Sequence, residues 1–218
     1  MGSSGAALGP QAGGPSAQGR QAGGTPRAAL ADLLAGNRRF VSGQPVHGHD
    51  VTAAAAASGD QQPYAVVLGC IDSRVPLEAI FDQTFGAICV IRTGGHVLDR
   101  AVCGSIEYVV GQLGVPLVMV LGHERCGAVG AAVDALRGGE RPGGSLAYLV
   151  DEIAPAVIEA GLDDPAVHPL AIRRHVRRTV RTLRDDDLLA GPVAAGLVAV
   201  VGGLYDLATG EVTLLEPA

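Results

Sequence analysis

Cys70 and the pair His123/Cys126 are the residues of this 218-residue chain whose types and spacing best suit chemistry. Each follows an apolar run: Cys70 comes after Val66-Val67-Leu68-Gly69, and His123 after Val118-Met119-Val120-Leu121-Gly122. His123 and Cys126 are three residues apart, close enough to share one ion where a strand turns into a helix. Cys70 lies 53 residues before His123 and joins them only if their two strands are close in one sheet. Two thiolates and an imidazole make a soft donor set that suits Zn²⁺. Three such ligands leave the fourth tetrahedral position open, which is the catalytic count and not that of a closed structural site. Asp72 and Arg74 extend the set, because residues 70, 72 and 74 of an extended segment project the same way. Asp72 could coordinate the ion, or could pair with Arg74 in a bidentate bridge that holds it off and leaves it to orient a metal-bound water. The plainer alternative is a buried small Cys70 beside a loop ion pair. That explains one motif alone but not both together at strand ends.

These residues need a scaffold that brings strand ends together. Ala65–Gly69, Ala87–Ile91, Leu117–Gly122 and Gly196–Val201 are short, continuous apolar runs, the mark of strands buried on both faces. Helical segments separate them over 76–82, 100–113, 127–137 and 172–184. The alternation predicts an α/β fold with a mostly parallel sheet flanked by helices, and the edge at the C-terminal ends of the strands is where sites form. Tyr205–Gly210 reads as the turn region of a terminal hairpin carrying Val212–Leu215. An N-terminal helical arm opens at Thr25-Pro26, cap then first helical position, and runs through Leu30, Leu33, Leu34, Arg38 and Val41 to Gly43. Residues 1–25 are rich in Gly, Ala, Ser, Pro and Gln and predict a disordered leader before a catalytic domain over 26–218.

Composition excludes several classes. The formal charge is −6 and aromatic residues make up 3 %, a poor match to a nucleic-acid binder. No apolar run approaches the roughly 18 residues needed to span a bilayer. The opening residues lack the basic start and apolar stretch of a secretory signal, so the four cysteines are expected in a reducing cytoplasm, packed, catalytic or metal-bound. The arginine run from Arg173 to Arg184 shares a helix with the apolar stripe Ile172, Val176, Val180 and Leu183 and reads as a solvated face. His47-Gly48-His49-Asp50 lies on a loop without strand context and reads as incidental. His96 reads as structural, and Cys103 as core.

The segments CIDSRV (Cys70–Val75) and GHERCGAV (Gly122–Val129) resemble the β-class carbonic anhydrases. Asn37-Arg38-Arg39-Phe40, Ser105-Ile106-Glu107-Tyr108 and Tyr205–Gly210 extend the similarity over nearly everything after the leader. The resemblance implies one Zn²⁺ per subunit on Cys70, His123 and Cys126, with Asp72 and Arg74 as the family's gating dyad. In the open state Arg74 holds Asp72 away from the metal; in the closed, inactive state Asp72 is the fourth ligand. It further implies that Gln61 donates to substrate oxygen and that Tyr108 lines the pocket. The Gly127 N–H, at the start of a helix, is a second candidate donor. A homodimer or homotetramer is expected, because the family builds its cleft between subunits. Three positions depart from the family pattern. Cys89 stands where many members have an aromatic, and Gly94 replaces a larger apolar residue. Val67 occupies the position of a Trp that serves an inhibitory bicarbonate site in some bacterial members.

The reaction so implied is reversible hydration of CO₂ to bicarbonate and a proton, by attack of zinc-bound hydroxide. The roughly neutral pKa of zinc-bound water is a figure from carbonic anhydrases with three His ligands, and two thiolates should place it higher here. A same-fold hydrolase of CS₂ or COS and a non-catalytic, zinc-stabilised binding protein are the rival expectations. A thiol redox protein would need a C-x-x-C, which this chain lacks.

Overall fold

The computed structural model describes residues 24–215. The leader expected over 1–25 therefore falls, but for its last two residues, outside the described residues. Helix α1 (Pro26–Val41) starts where the sequence places it: the Thr25 Oγ1 accepts from the Ala28 N–H at 3.2 Å, and Pro26 fills the first turn. The helix buries Ala29, Leu33, Gly36 and Asn37. A short helix α2 (Val51–Ala56), capped by Asp50, occupies the following loop.

The strands are β1 (Ala65–Cys70), β2 (Ile88–Thr93), β3 (Leu117–His123), β4 (Ala199–Tyr205) and β5 (Val212–Leu215). They form one sheet in the order β2-β1-β3-β4-β5; β5 alone runs antiparallel, paired to β4 as the expected terminal hairpin. Helices α3 (Leu77–Ile80), α4 (Arg100–Gly111), α5 (Gly127–Leu136), α6 (Gly144–Ala160), α7 (Val167–Arg184) and α8 (Ala190–Ala194) complete the chain. The α/β class and the mostly parallel sheet thus agree with the sequence pattern.

Alternation along β1 divides the core, as a strand's period of two requires. Val66 and Leu68 pack with Val102 and Ile106 of α4 and with Val176, Val180 and Leu183 of α7. Ala65 and Val67 pack on the other face with Leu33 of α1 and with Leu77, Ile80 and Phe81. A third cluster gathers Cys70 and Cys126 with Val129 of α5, Ile153 and Val157 of α6, and Ile172 of α7, so the site rests on dense apolar packing.

Three features differ from the sequence reading. Helix α6 was not foreseen, because Pro155 interrupts its apolar period and its start has no side-chain cap. Strand β4 starts later than the apolar run over 196–201 and continues past it through Gly202 and Gly203. Those glycines serve packing: a Cβ at Gly202 would lie 2.8 Å from Val176 Cγ1, and one at Gly122 would lie 2.6 Å from Val176 Cγ2. Their missing side chains let α7 sit close against β3 and β4. Cys103 is only partly buried, since the core face of α4 is Val102, Ile106, Val109 and Val110.

Candidate metal centre

Strands β1 and β3 are hydrogen-bonded neighbours, with Gly69 level with Leu121. One more residue along each brings Cys70 beside Gly122, and His123 follows immediately. The condition that the 53-residue separation imposed is therefore met. The donor atoms of Cys70, His123 and Cys126 all lie within 4.8 Å of one another, and all three residues are buried. Between His123 and Cys126 the chain reverses through Arg125 at φ +52°, a left-handed conformation that costs a non-glycine residue about 1–2 kcal/mol. The strain is local to the turn that aims both side chains inward.

The donor set fits a zinc ion on two observations. First, His123 Nδ1 lies 2.8 Å from the Glu124 carbonyl, which can only accept, so Nδ1 carries the proton and Nε2 presents its lone pair. That Nε2 is buried and, among the described residues, has no hydrogen-bond partner. A buried polar atom left so costs about 1–3 kcal/mol, a cost that a bound cation removes. Second, the Cys70 and Cys126 sulfurs are 4.0 Å apart. That is too far for a disulfide but close to the ~3.8 Å that two tetrahedral Zn–S bonds of about 2.3 Å would set. The four cysteines are free.

The surroundings favour thiolate. Cys70 Sγ faces the Asp72 and Gly95 N–H groups, each at 3.4 Å. The neighbouring Cys126 sulfur is the largest cause, and with these groups it draws the Cys70 thiol down to about 4 against the opposing effect of burial. Cys126 is pushed up, because the two sulfurs then share one proton and the remaining site is buried. It stands at the N-cap of α5, where helix N–H groups favour negative charge.

Asp72 and Arg74 do not project in parallel along an extended strand, as the sequence suggested. The chain turns after Cys70: the Arg74 N–H donates to Asp72 Oδ1 at 2.9 Å, and the guanidinium closes a fork on the carboxylate at 2.9 and 2.7 Å. This grip, first among its causes, holds the Asp72 carboxyl well below the usual carboxylate range. Asp72 Oδ2 remains 4.0 Å from His123 Nε2, beside the metal position and turned toward Arg74. Arg92 braces the turn from β2, donating to the Cys70 carbonyl at 2.9 Å and the Asp72 carbonyl at 2.6 Å.

The remaining candidates divide. Gly127 is the first residue of α5, next to Cys126. Gln61 is exposed in the loop before β1, and Tyr108 is exposed on α4. Among the described residues neither hydrogen-bonds to Cys70, Asp72, His123 or Cys126. His49 contacts the Gln83 carbonyl at 3.0 Å and the Phe85 ring edge-on, while Asp50 caps α2. His96 is buried with its ring 4.5 Å from that of His175. The sequence reading passed over His168 and His175. Their signal was present: both lie on the α7 face that carries Ile172, Val176 and Val180, though His168 falls before Ile172, where that helix was expected to start.

The fold and its Cys-His-Cys cluster define an α/β protein with a group that could hold a metal ion at the C-terminal edge of its parallel strands. The carbonic anhydrase family model matches residues 65–212. The chain is 44 % identical over 193 residues to carbonic anhydrase 2 of Mycobacterium tuberculosis, covering 88 % of this chain and 93 % of that one. It is 45 % identical over 194 residues to the carbonic anhydrase of Mycolicibacterium smegmatis, covering 87 % and 93 %. Among solved structures, the Coccomyxa β-carbonic anhydrase bound to acetazolamide superposes with a TM-score of 0.68 at 25 % identity, over 85 % of this chain and 86 % of that one. The chain belongs to the β-class carbonic anhydrases and is an enzyme of that class.

Proposed function

We propose that this protein catalyses reversible hydration of CO₂ to bicarbonate with one Zn²⁺ per subunit held by Cys70, His123 and Cys126. The observation that carries the reading is Asp72 forked by Arg74 beside that cluster. A metal that merely stabilised the fold would need four fixed ligands and no such dyad. A zinc ion there supplies Lewis acidity, the general means of making water nucleophilic near neutral pH.

The chain's own groups do the rest. Arg74 keeps the Asp72 carboxylate ionised and off the metal, so that Asp72 is left as an acceptor that orients a reacting water. The Gly127 N–H, at the positive end of α5, faces the negative charge that grows on CO₂ oxygen as it becomes bicarbonate. Gln61 and Tyr108 belong to the same cleft in this proposal. Both are exposed within one chain, which supports their reaching the cleft from a second copy in a homodimer or homotetramer. No helix among the described residues is long and apolar enough to cross a membrane, and we place the enzyme in the cytoplasm on the strength of its free thiols.

Stopped-flow CO₂ hydration against pH, with zinc measured on the same sample, tests the proposal. Turnover that rises with pH and scales with zinc content is expected. Zinc-replete protein that hydrates no CO₂ would defeat it, and hydrolysis of COS or CS₂ by that sample would move the function to the rival gases.

A further inference from the structure

Helix α7 contributes no ligand, yet two of its side chains hold the backbone on which the sulfur ligands depend. His168 and His175 are seven residues apart, two helical turns, and so share a face. That face reaches the site because Val176 packs into the space left by Gly122 and Gly202. His168 Nε2 lies 3.0 Å from the Cys126 carbonyl, and His175 Nε2 lies 2.9 Å from the Gly95 carbonyl. A carbonyl only accepts, so each ring carries its proton on Nε2 and donates.

The two contacts act on different parts of the centre. The Cys126 carbonyl also accepts the Gly130 N–H at 3.0 Å. Its peptide unit is trans, so the Gly127 N–H points the opposite way from the doubly bonded oxygen. Two donors on the oxygen fix the plane of that peptide and polarise it, which makes the Gly127 N–H a stronger donor. On the other side, Gly95 is held at φ +62°, with its own N–H 3.4 Å from Cys70 Sγ. A Cβ there would come within 3.0 Å of Ile153 and 3.1 Å of Ala128, so the segment has little freedom to move sideways. Anchoring the Gly95 carbonyl holds this residue from its other side, and together with the tight packing restrains the N–H that faces sulfur.

We propose that His168 and His175 are positioning residues of the metal centre: His168 orients and polarises the Cys126–Gly127 peptide, and His175 locks the Gly95 N–H onto the Cys70 thiolate. This rests on the proposed zinc site and deepens it by naming its support. Partners of metal ligands of this kind change affinity or activity by about 10–100-fold when removed. The two residues should therefore separate by readout.

The experiment compares purified full-length wild type with His175→Ala, His175→Gln, His168→Ala and His168→Gln. Zinc affinity is read by chelator competition, Co²⁺-substituted protein by its thiolate charge-transfer absorption, and kcat and KM by CO₂ hydration. His175→Ala should weaken zinc about 10-fold or more and shift the Co²⁺ band. His168→Ala should chiefly lower kcat. The Gln variants, which keep an N–H donor, should recover most of each loss; a merely structural role would not show that recovery. Ala variants with wild-type affinity, spectrum and kcat would overturn the inference, as would Gln variants no better than Ala. Wild type without zinc or a thiolate–Co²⁺ band would instead sink the proposed function, and this inference with it.

Discussion

Two buried polar clusters lie on this sheet, and they are finished differently. Under α1, the side-chain polar atoms of Asn37 and the Asp82 carboxylate are all partnered, although the buried Tyr64 hydroxyl packed in the same cluster has no partner among the described residues. Asn37 donates to the Ile80 carbonyl at 3.1 Å and the Gly210 carbonyl at 2.8 Å, and accepts the Val212 N–H at 2.9 Å. Asp82, 2 % exposed, accepts from Arg39 at 2.5 Å and from the Val46 and His47 N–H groups. At the ends of β1 and β3, His123 Nε2 has no partner and two thiols face each other. Asn37 and Asp82 tie the N-terminal arm to α3 and the terminal hairpin. The second group leaves donor atoms that a cation could satisfy. The partnered Asn37 and Asp82 thus contrast with the unpartnered His123 Nε2 between two sulfurs, although both groups are buried and both adjoin a non-glycine residue at positive φ, Asp82 in one and Arg125 in the other.

The largest expected effect tests the second group. Cys70→Ser or His123→Ala should remove stoichiometric zinc and lower kcat/KM by at least ~10³-fold, the several kcal/mol that a catalytic metal supplies. The metal-free forms should unfold at nearly the urea concentration of metal-free wild type. A large loss of metal-free stability would make this group a structural tie as well. The reverse experiment is Asn37→Ala, which strands buried partners and should cost about 3 kcal/mol in urea unfolding. Zinc content should stay at one per chain; loss of zinc from a still folded variant would join the two regions that the comparison separates.

Next comes the dyad. Asp72→Asn keeps the shape but weakens the grip of Arg74, and should lower kcat/KM about 10–100-fold with zinc retained. Unchanged kinetics would leave Asp72 a loop acid. The smallest effect concerns acid. Burial, the largest cause, lowers the His175 pKa to about 4. The folded state therefore refuses a proton that the unfolded chain binds below about 6.5, and stability falls as pH drops from there toward 4. Metal-free protein should lose up to about 2 kcal/mol between pH 7 and 5 through this group. His175→Gln should flatten the slope in unfolding curves taken at both pH values, leaving the share due to buried His96. An unchanged slope would remove His175 as its source.

Much of this was legible in the chain itself. Apolar runs ending in Cys70 and His123 marked the central strands and the metal ligands, because burial on both faces and a polar group at the strand end leave a plain linear trace. Thr25-Pro26 marked the start of α1 for an equally local reason. What escaped was non-local. The extension of β4 through Gly202 depends on Val176 packing where a side chain would be, and Pro155 hid α6. The Asp72–Arg74 fork was one of the two pairings that the spacing offered, and only the turn that closes it went unforeseen. His168 and His175 act on carbonyls contributed by residues 42 and 80 positions away, and a carbonyl acceptor has no side-chain signature. Gln61 and Tyr108 carry a motif-level likeness, and both are exposed in the single chain.

X-ray absorption at the zinc edge of the purified wild-type protein bears most directly on the metal centre. The account predicts two sulfur scatterers at about 2.3 Å and two nitrogen or oxygen scatterers at about 2.0–2.2 Å. A zinc shell with fewer than two sulfurs, or no zinc at all, would contradict it.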